Sequence, residues 1–124
     1  MDAKPQMTLS GIVLDSRDPK ELAAFYQRLL GWSVVQDEPG WIKLGAPDGG
    51  PGLAFEEEPG YVRAVWPAGP DDPQLKIHLD IRVVDLEQAC AHAEKAGATM
   101  AGFQPQDDVR VFLDPAGHPF CLSL

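Results

Sequence analysis

The 124-residue sequence predicts an α+β fold made of two βαβββ modules in a single domain. The same order of features, an apolar strand, an acidic helix start, a helix and a glycine stop, occurs over residues 9–31 and again over residues 76–97. Three short β-rich segments follow each helix and are separated by turn residues. Because a module of about 60 residues is marginally stable alone, we expect the two modules to share a core or to pair across a dimer.

The first predicted helix is bounded by residues that favour helix ends. Asp18 has the position of an N-cap, Pro19 suits the first helical turn, and Glu21 completes a capping box. Gly31 is the expected stop. An apolar stripe with helical spacing predicts the buried face. It consists of Leu22, Phe25, Tyr26, Leu29 and Leu30.

The second predicted helix repeats these features. Asp85 is the expected N-cap, Gln88 completes the box, and Gly97 is the stop. The apolar stripe of this helix consists of Leu86, Ala89, Cys90 and Ala93. A free cysteine on such a stripe behaves as a small hydrophobic residue, so we expect Cys90 to be structural.

The β-rich segments complete the modules and set their boundaries. They span residues 32–36, 41–44 and 53–57 in the first half of the chain, and residues 98–103, 109–113 and 120–124 in the second half. The predicted organisation is an N-terminal tail over residues 1–7, module 1 over residues 8–57, a proline-rich linker over residues 58–75 and module 2 over residues 76–124. The linker carries Tyr61 and Trp66, which either form a lid over a pocket or pin the linker to the core.

The alternation of side chains along residues 76–83 separates a core face from a second face. The residues expected to pack against the helices are Ile77, Leu79, Ile81 and Val83, and those left on the second face are Lys76, His78, Asp80 and Arg82. The second face either lines a ligand cavity or meets solvent.

Strands of the first half show the same alternation. Gly11, Val13 and Asp15 are expected to point away from the helix, and the side chains opposite Ile42 and Leu44 are those of Trp41 and Lys43. The flat indole of Trp41 suits an aromatic or heterocyclic ligand, and packing in the core is the alternative.

Charge and composition limit the class of partner. A net charge of −9 disfavours nucleic acids and anionic membranes, whose binding depends on Lys and Arg. The same acidity suits a cationic ligand or serves solubility alone. No apolar run approaches the roughly 20 residues of a membrane span, and residues 1–6 lack a signal-peptide pattern, so we expect a cytoplasmic protein. Cys90 and Cys121 lack the spacing of a disulfide framework or a zinc knuckle.

Two motifs and the duplicated plan carry a family resemblance. Residues 25–32, FYQRLLGW, and residues 114–121, DPAGHPFC, are similar to the vicinal oxygen chelate superfamily, which includes glyoxalase I, extradiol dioxygenases and bleomycin-resistance proteins. Residues 78–81 followed by Phe120 and Cys121 most resemble its glyoxalase-like domain branch. The resemblance covers residues 8–124 and implies that the two modules form a cup-shaped mixed sheet, as in the glyoxalase/bleomycin-resistance fold.

The resemblance also implies where a metal would bind. Metal-dependent members hold a divalent ion with one side chain from the first strand and one from the last strand of each module. Those positions fall on Gly11, Glu56, His78 and Cys121. Gly11 has no side chain, and glyoxalase I has glutamate where this chain has Cys121, so only His78 and Glu56 match. We therefore expect no catalytic metal, the alternative being Zn²⁺, Ni²⁺, Mn²⁺ or Fe²⁺ held by His78 and Glu56.

Three functions are compatible with these residues. The first is a metal-free protein that binds a small cationic or aromatic molecule in an acidic cup, with contacts from Trp41, Lys43, Tyr61, Trp66, Asp80, Arg82 and Cys121. The second is a metal-dependent lyase or isomerase resembling glyoxalase I. The third is a metal-free enzyme with His78 or Glu56 as general base. The resemblance implies a homodimer whose subunits pair their modules, and we predict no role for His92 or His118.

Overall fold

The structure of the protein, a computed structural model, describes residues 5–74 and 77–124. Its elements follow the predicted βαβββ order twice. Module 1 contains β1 (Gly11–Ser16), α1 (Pro19–Leu30), β2 (Ser33–Glu38), β3 (Trp41–Gly45) and β4 (Gly52–Glu57). Module 2 contains β5 (Leu79–Arg82), α2 (Leu86–Ala96), β6 (Thr99–Met100), β7 (Val109–Leu113) and β8 (Pro119–Ser123). Lys76, predicted on a strand, lies outside the described residues.

The described strands form two mixed sheets rather than one continuous sheet. Sheet 1 has the order β1-β4-β3-β2, and sheet 2 has the order β5-β8-β7-β6. In each sheet the first and last strands of the module are parallel neighbours, and the other pairs are antiparallel. The duplication in the sequence is therefore a duplication of topology.

Both helices begin as their sequences predict. Asp18 Oδ1 accepts a hydrogen bond from the Glu21 amide at 3.2 Å, and Asp85 Oδ1 accepts one from the Gln88 amide at 3.0 Å. These contacts satisfy amides at helix starts that have no partner within the helix. Gly31 ends α1 in the left-handed conformation, with φ of 74°, where any other residue would be strained.

One hydrophobic core joins the two modules. The ring of Tyr26 on α1 stacks on Phe55 of β4 with centroids 5.5 Å apart, and Phe25 lies 5.9 Å from Phe120 of β8. Phe120 in turn stacks on Phe112 of β7 at 5.9 Å. This aromatic row crosses from module 1 to module 2, so neither module has a core of its own.

Strands β5 and β6 are shorter than predicted, for identifiable reasons. β5 begins at Leu79, which pairs with Phe120, and the next residue in register, Pro119, has no amide hydrogen to extend the ladder. Ile77, predicted in the core, is consequently 53% exposed. β6 ends early because the side-chain amide of Gln104 donates to the Val111 carbonyl at 2.9 Å and accepts from the Val111 amide at 2.8 Å. The Gln104 side chain thus makes the hydrogen bonds to Val111 that a neighbouring strand would otherwise make.

Strand β2 is one of the two edges of sheet 1, and all six of its residues are exposed. Its pairing with β3 shifts register between Val34 and Gln36, which marks a β-bulge. Asp37 and Glu38 follow the bulge. None of the helices in the described part of the chain is long and apolar enough to cross a membrane.

Candidate functional site

Each sheet has one face in the shared core and one face turned away from it, which we call its cup face. In β3, Ile42 and Leu44 are buried, whereas Trp41 and Lys43 are only half-buried. This confirms the alternation predicted for β3. The register places Asp15, Glu56 and Trp41 in one row across sheet 1, with Lys43 in the next row.

Trp41 is held on the cup face of sheet 1 and does not belong to the buried core cluster. Its indole Nε1 donates a hydrogen bond to Gln36 Oε1 at 2.9 Å. Glu56, its neighbour in register, is exposed. A fixed indole beside a free carboxylate can hold an aromatic ring and a positive charge together.

The cup face of sheet 2 carries three side chains with metal-ligand chemistry. Asp80 and Cys121 are register partners on β5 and β8, and His78 Nε2 lies 3.1 Å from Asp80 Oδ1. One donor atom from each of His78, Asp80 and Cys121 lies within 4.8 Å of the other two. Glu56 belongs to the other sheet and is not in this group. Arg82 is exposed, with Ser123 as its partner in register.

The donor types of this group fit a divalent ion such as Zn²⁺, which accepts imidazole, carboxylate and thiolate ligands. His78, Asp80 and Cys121 would hold such an ion, which would supply Lewis-acid chemistry. Cys121 opposes binding at neutral pH, because burial, the charge of Asp80 and a hydrogen bond to Asp80 all raise the pKa of its thiol. The thiolate is the metal ligand, so the ion would have to displace a proton.

The linker aromatics differ in what they touch. Tyr61 donates a hydrogen bond to the Ala116 carbonyl at 2.9 Å, and its ring packs on His118 with centroids 5.3 Å apart. Trp66 packs on Phe103 at 5.5 Å. Tyr61 therefore pins the linker to module 2, and it also lines two clefts of about 390 and 250 Å³ beside β1.

His118, for which the sequence predicted no role, joins the two modules. Its Nε2 lies 2.7 Å from the carbonyl oxygen of Asp15, a contact between residues far apart in sequence. Together with Tyr61 it closes the seam between β1, the linker and the turn before β8. No local pattern indicates this contact, because it depends on how the modules pack.

Asp114 was also missed, although it opens the turn of the DPAG motif. Its side chain is 1% exposed and accepts hydrogen bonds from the Tyr26 hydroxyl at 2.8 Å and from the Ala116 and His118 amides at 2.9 Å each. Burial raises the pKa of Asp114, and burial together with the Asp114 charge raises that of Tyr26. With all its partners inside the protein, this group stabilises the module junction rather than a ligand.

Cys90 is half-buried and packs against the edge of the core, as predicted for its stripe. Burial raises the pKa of its thiol. A thiol that stays protonated is a weaker nucleophile than a thiolate. This environment agrees with a structural role.

The sheets, their order and the duplicated topology define a glyoxalase-like protein, and comparison of the sequence with protein families agrees. The glyoxalase-like domain family matches residues 11–123. The chain therefore belongs to the glyoxalase-like domain family. No functionally curated protein matches the sequence.

Solved structures with this fold include proteins of different activity. A glyoxalase/bleomycin resistance protein/dioxygenase family enzyme from Burkholderia phytofirmans has a TM-score of 0.70 and 20% identity, over 94% of this chain and 97% of that one. An antibiotic-binding protein from a Streptomyces species has a TM-score of 0.64 and 19% identity, over 98% of each chain. A lactoylglutathione lyase from Agrobacterium tumefaciens has a TM-score of 0.63 and 18% identity, over 97% and 95%. At these identities the likeness concerns the fold alone.

Proposed function

We propose that this chain binds a small aromatic or cationic molecule on its cup faces without a catalytic metal. The observation that carries the proposal is the cup face of sheet 1, where Trp41 and Glu56 lie in one row across the strands and Lys43 lies in the next row. The site has a flat apolar wall and charged side chains at its rim, which is the usual composition of a small-molecule pocket. The similar fold of an antibiotic-binding protein supports this proposal.

The proposed site is completed by a second copy of the chain. The donor group on sheet 2 contains His78, Asp80 and Cys121 but no residue of sheet 1, so one chain presents two half-sites. A homodimer that placed sheet 1 of one subunit over sheet 2 of the other would enclose the ligand. Light scattering should give the mass of two chains at working concentration, and a mass of one chain would contradict the dimer.

We expect Trp41→Ala to abolish the thermal-shift response to the ligands that stabilise the natural protein. Removing the indole deletes the apolar wall, and stacking on an aromatic residue contributes about 0.5–1.5 kcal/mol beyond its buried area. The measurement is a thermal-shift screen of cationic and aromatic compounds, with Trp66→Phe as the control that leaves the cup face unchanged. A flat response of the natural protein across the whole library would contradict the proposed function.

A divalent-metal-dependent lyase or isomerase is the second candidate, favoured by the three-donor group on sheet 2. His78, Asp80 and Cys121 would hold Zn²⁺, Ni²⁺, Mn²⁺ or Fe²⁺, with Glu56 of a partner subunit as a further ligand. The ion would act as a Lewis acid on substrate oxygens. The fold of a lactoylglutathione lyase supports this candidate.

Elemental mass spectrometry separates the two candidates. If the metal candidate is right, protein loaded with the divalent-metal panel and gel-filtered should retain about one ion per chain. Retention should be lost in His78→Ala, kept in His92→Ala and increased at higher pH, because the Cys121 proton competes with the ion. Protein that retains no metal under these conditions would exclude the lyase candidate.

A further inference from the structure

Lys43 lies at the centre of the cup face of sheet 1, and its side chain reaches across the neighbouring strands. It sits on β3 opposite Ala54 of β4, and β4 is flanked on its other side by β1. A Cβ atom added to Gly11 of β1 would lie 3.5 Å from Lys43 Cε and 3.6 Å from Lys43 Nζ. The ammonium group is therefore held beside the backbone of β1, two strands away from its own.

Two glycines make room for this side chain. Gly11 and Gly52 are register partners on the parallel strands β1 and β4. A Cβ atom on Gly52 would collide with the carbonyl oxygen of Leu44 and would lie 3.2 Å from Lys43 Cε. Without side chains at either position, the backbone forms a shallow trough in which the lysine chain lies flat.

Within the described residues, the ammonium group of Lys43 makes no salt bridge with an Asp or Glu side chain. Lys43 is half-buried, so part of its hydration is already lost. A partly desolvated cation gains more from an anionic partner than an exposed one does. The ammonium group is therefore available to an anion, which the described part of the chain does not provide.

We infer that the ligand carries an anionic oxygen, such as a carboxylate, which pairs with Lys43 Nζ beside the glycine trough of β1 and β4. The inference rests on the proposed binding function and narrows it, since a cation on this face disfavours purely cationic ligands. It assigns carboxylates as the ligand class.

Three probes of nearly equal shape test this assignment: benzoate, benzamide and benzamidine, which are anionic, neutral and cationic. Reductive methylation with ¹³C keeps the positive charge of lysines and gives each a separate NMR signal, with Lys43 assigned from the signal missing in Lys43→Arg. Millimolar benzoate should shift the Lys43 signal saturably and leave the exposed Lys20 and Lys95 signals nearly unchanged. Benzamide and benzamidine should bind about tenfold more weakly or not at all.

Variants of Lys43 provide the second readout, measured by calorimetry on unmethylated protein. Lys43→Met should weaken benzoate binding about tenfold or more, while Lys43→Arg, which keeps the charge, should retain most of it. Any one of three results would overturn the inference. Lys43→Met could bind benzoate as tightly as the natural protein does, benzamidine could bind as tightly as benzoate, or the natural protein could fail to bind benzoate. The proposed function fails separately, when no compound of the broader library stabilises the protein.

Discussion

Replacing Phe120 with alanine should lower the free energy of unfolding by about 3–5 kcal/mol, the usual cost of deleting a fully buried aromatic side chain. Phe120 is completely buried and lies between Phe25 of module 1 and Phe112 of module 2. The cavity left behind would disturb both modules at once. Chemical denaturation followed by tryptophan fluorescence measures the loss.

The control for Phe120→Ala is Phe103→Ala. Phe103 is 51% exposed and packs only at the surface against Trp66, so its removal should cost less than about 1 kcal/mol. Unfolding of Phe120→Ala should remain a single cooperative transition, because the two modules share one core. Two separate transitions, with only one displaced, would contradict the shared core.

Asp114→Ala should lower the free energy of unfolding by about 3 kcal/mol or more. The substitution leaves the buried Tyr26 hydroxyl and two part-buried backbone amides without acceptors, and a buried group left without a partner costs about 1–3 kcal/mol. Tyr26→Phe removes only the hydroxyl contact and should cost about 1 kcal/mol. A loss in Asp114→Ala no larger than in Tyr26→Phe would show that the amide contacts contribute nothing.

Asp114 also gives stability a definite pH dependence. Burial raises its pKa in the folded state, so the folded protein keeps this proton at a pH where the unfolded chain, with a pKa of about 3.9, has lost it. The contribution of Asp114 to stability therefore falls as the pH rises from about 3.9 through the folded-state pKa. Asp114→Asn retains an acceptor for both amides and should lack this slope when unfolding is measured between pH 3 and pH 7.

Local patterns predicted the helices and the faces of β3, because caps and alternation depend on neighbours in sequence. Asp18 and Asp85 cap as expected, and Trp41 and Lys43 share the face opposite the core. The repeated order of elements predicted the duplicated topology in the same way. These features require no knowledge of how distant segments meet.

The features that sequence reasoning missed depend on contacts across strands and modules. The pairing register of the strands places Lys43 over Gly11 and Asp80 beside Cys121. The alternation of side chains along one strand does not specify how that strand pairs with another strand distant in sequence. Gln104 ends β6 by using its side chain as a strand partner, which composition does not reveal. The contact of His118 with the Asp15 carbonyl arises only when the modules pack.

The exposed backbone edge of strand β2 is a place where two copies of the protein could pair with each other. An exposed edge offers unpaired backbone groups on which another β2 could add, and such pairing propagates into fibres. The bulge between Val34 and Gln36 distorts that edge, and Asp37 and Glu38 would bring carboxylates together in an edge-to-edge pair. The bulge and the two carboxylates thereby protect this uncovered edge from pairing with the edge of another molecule.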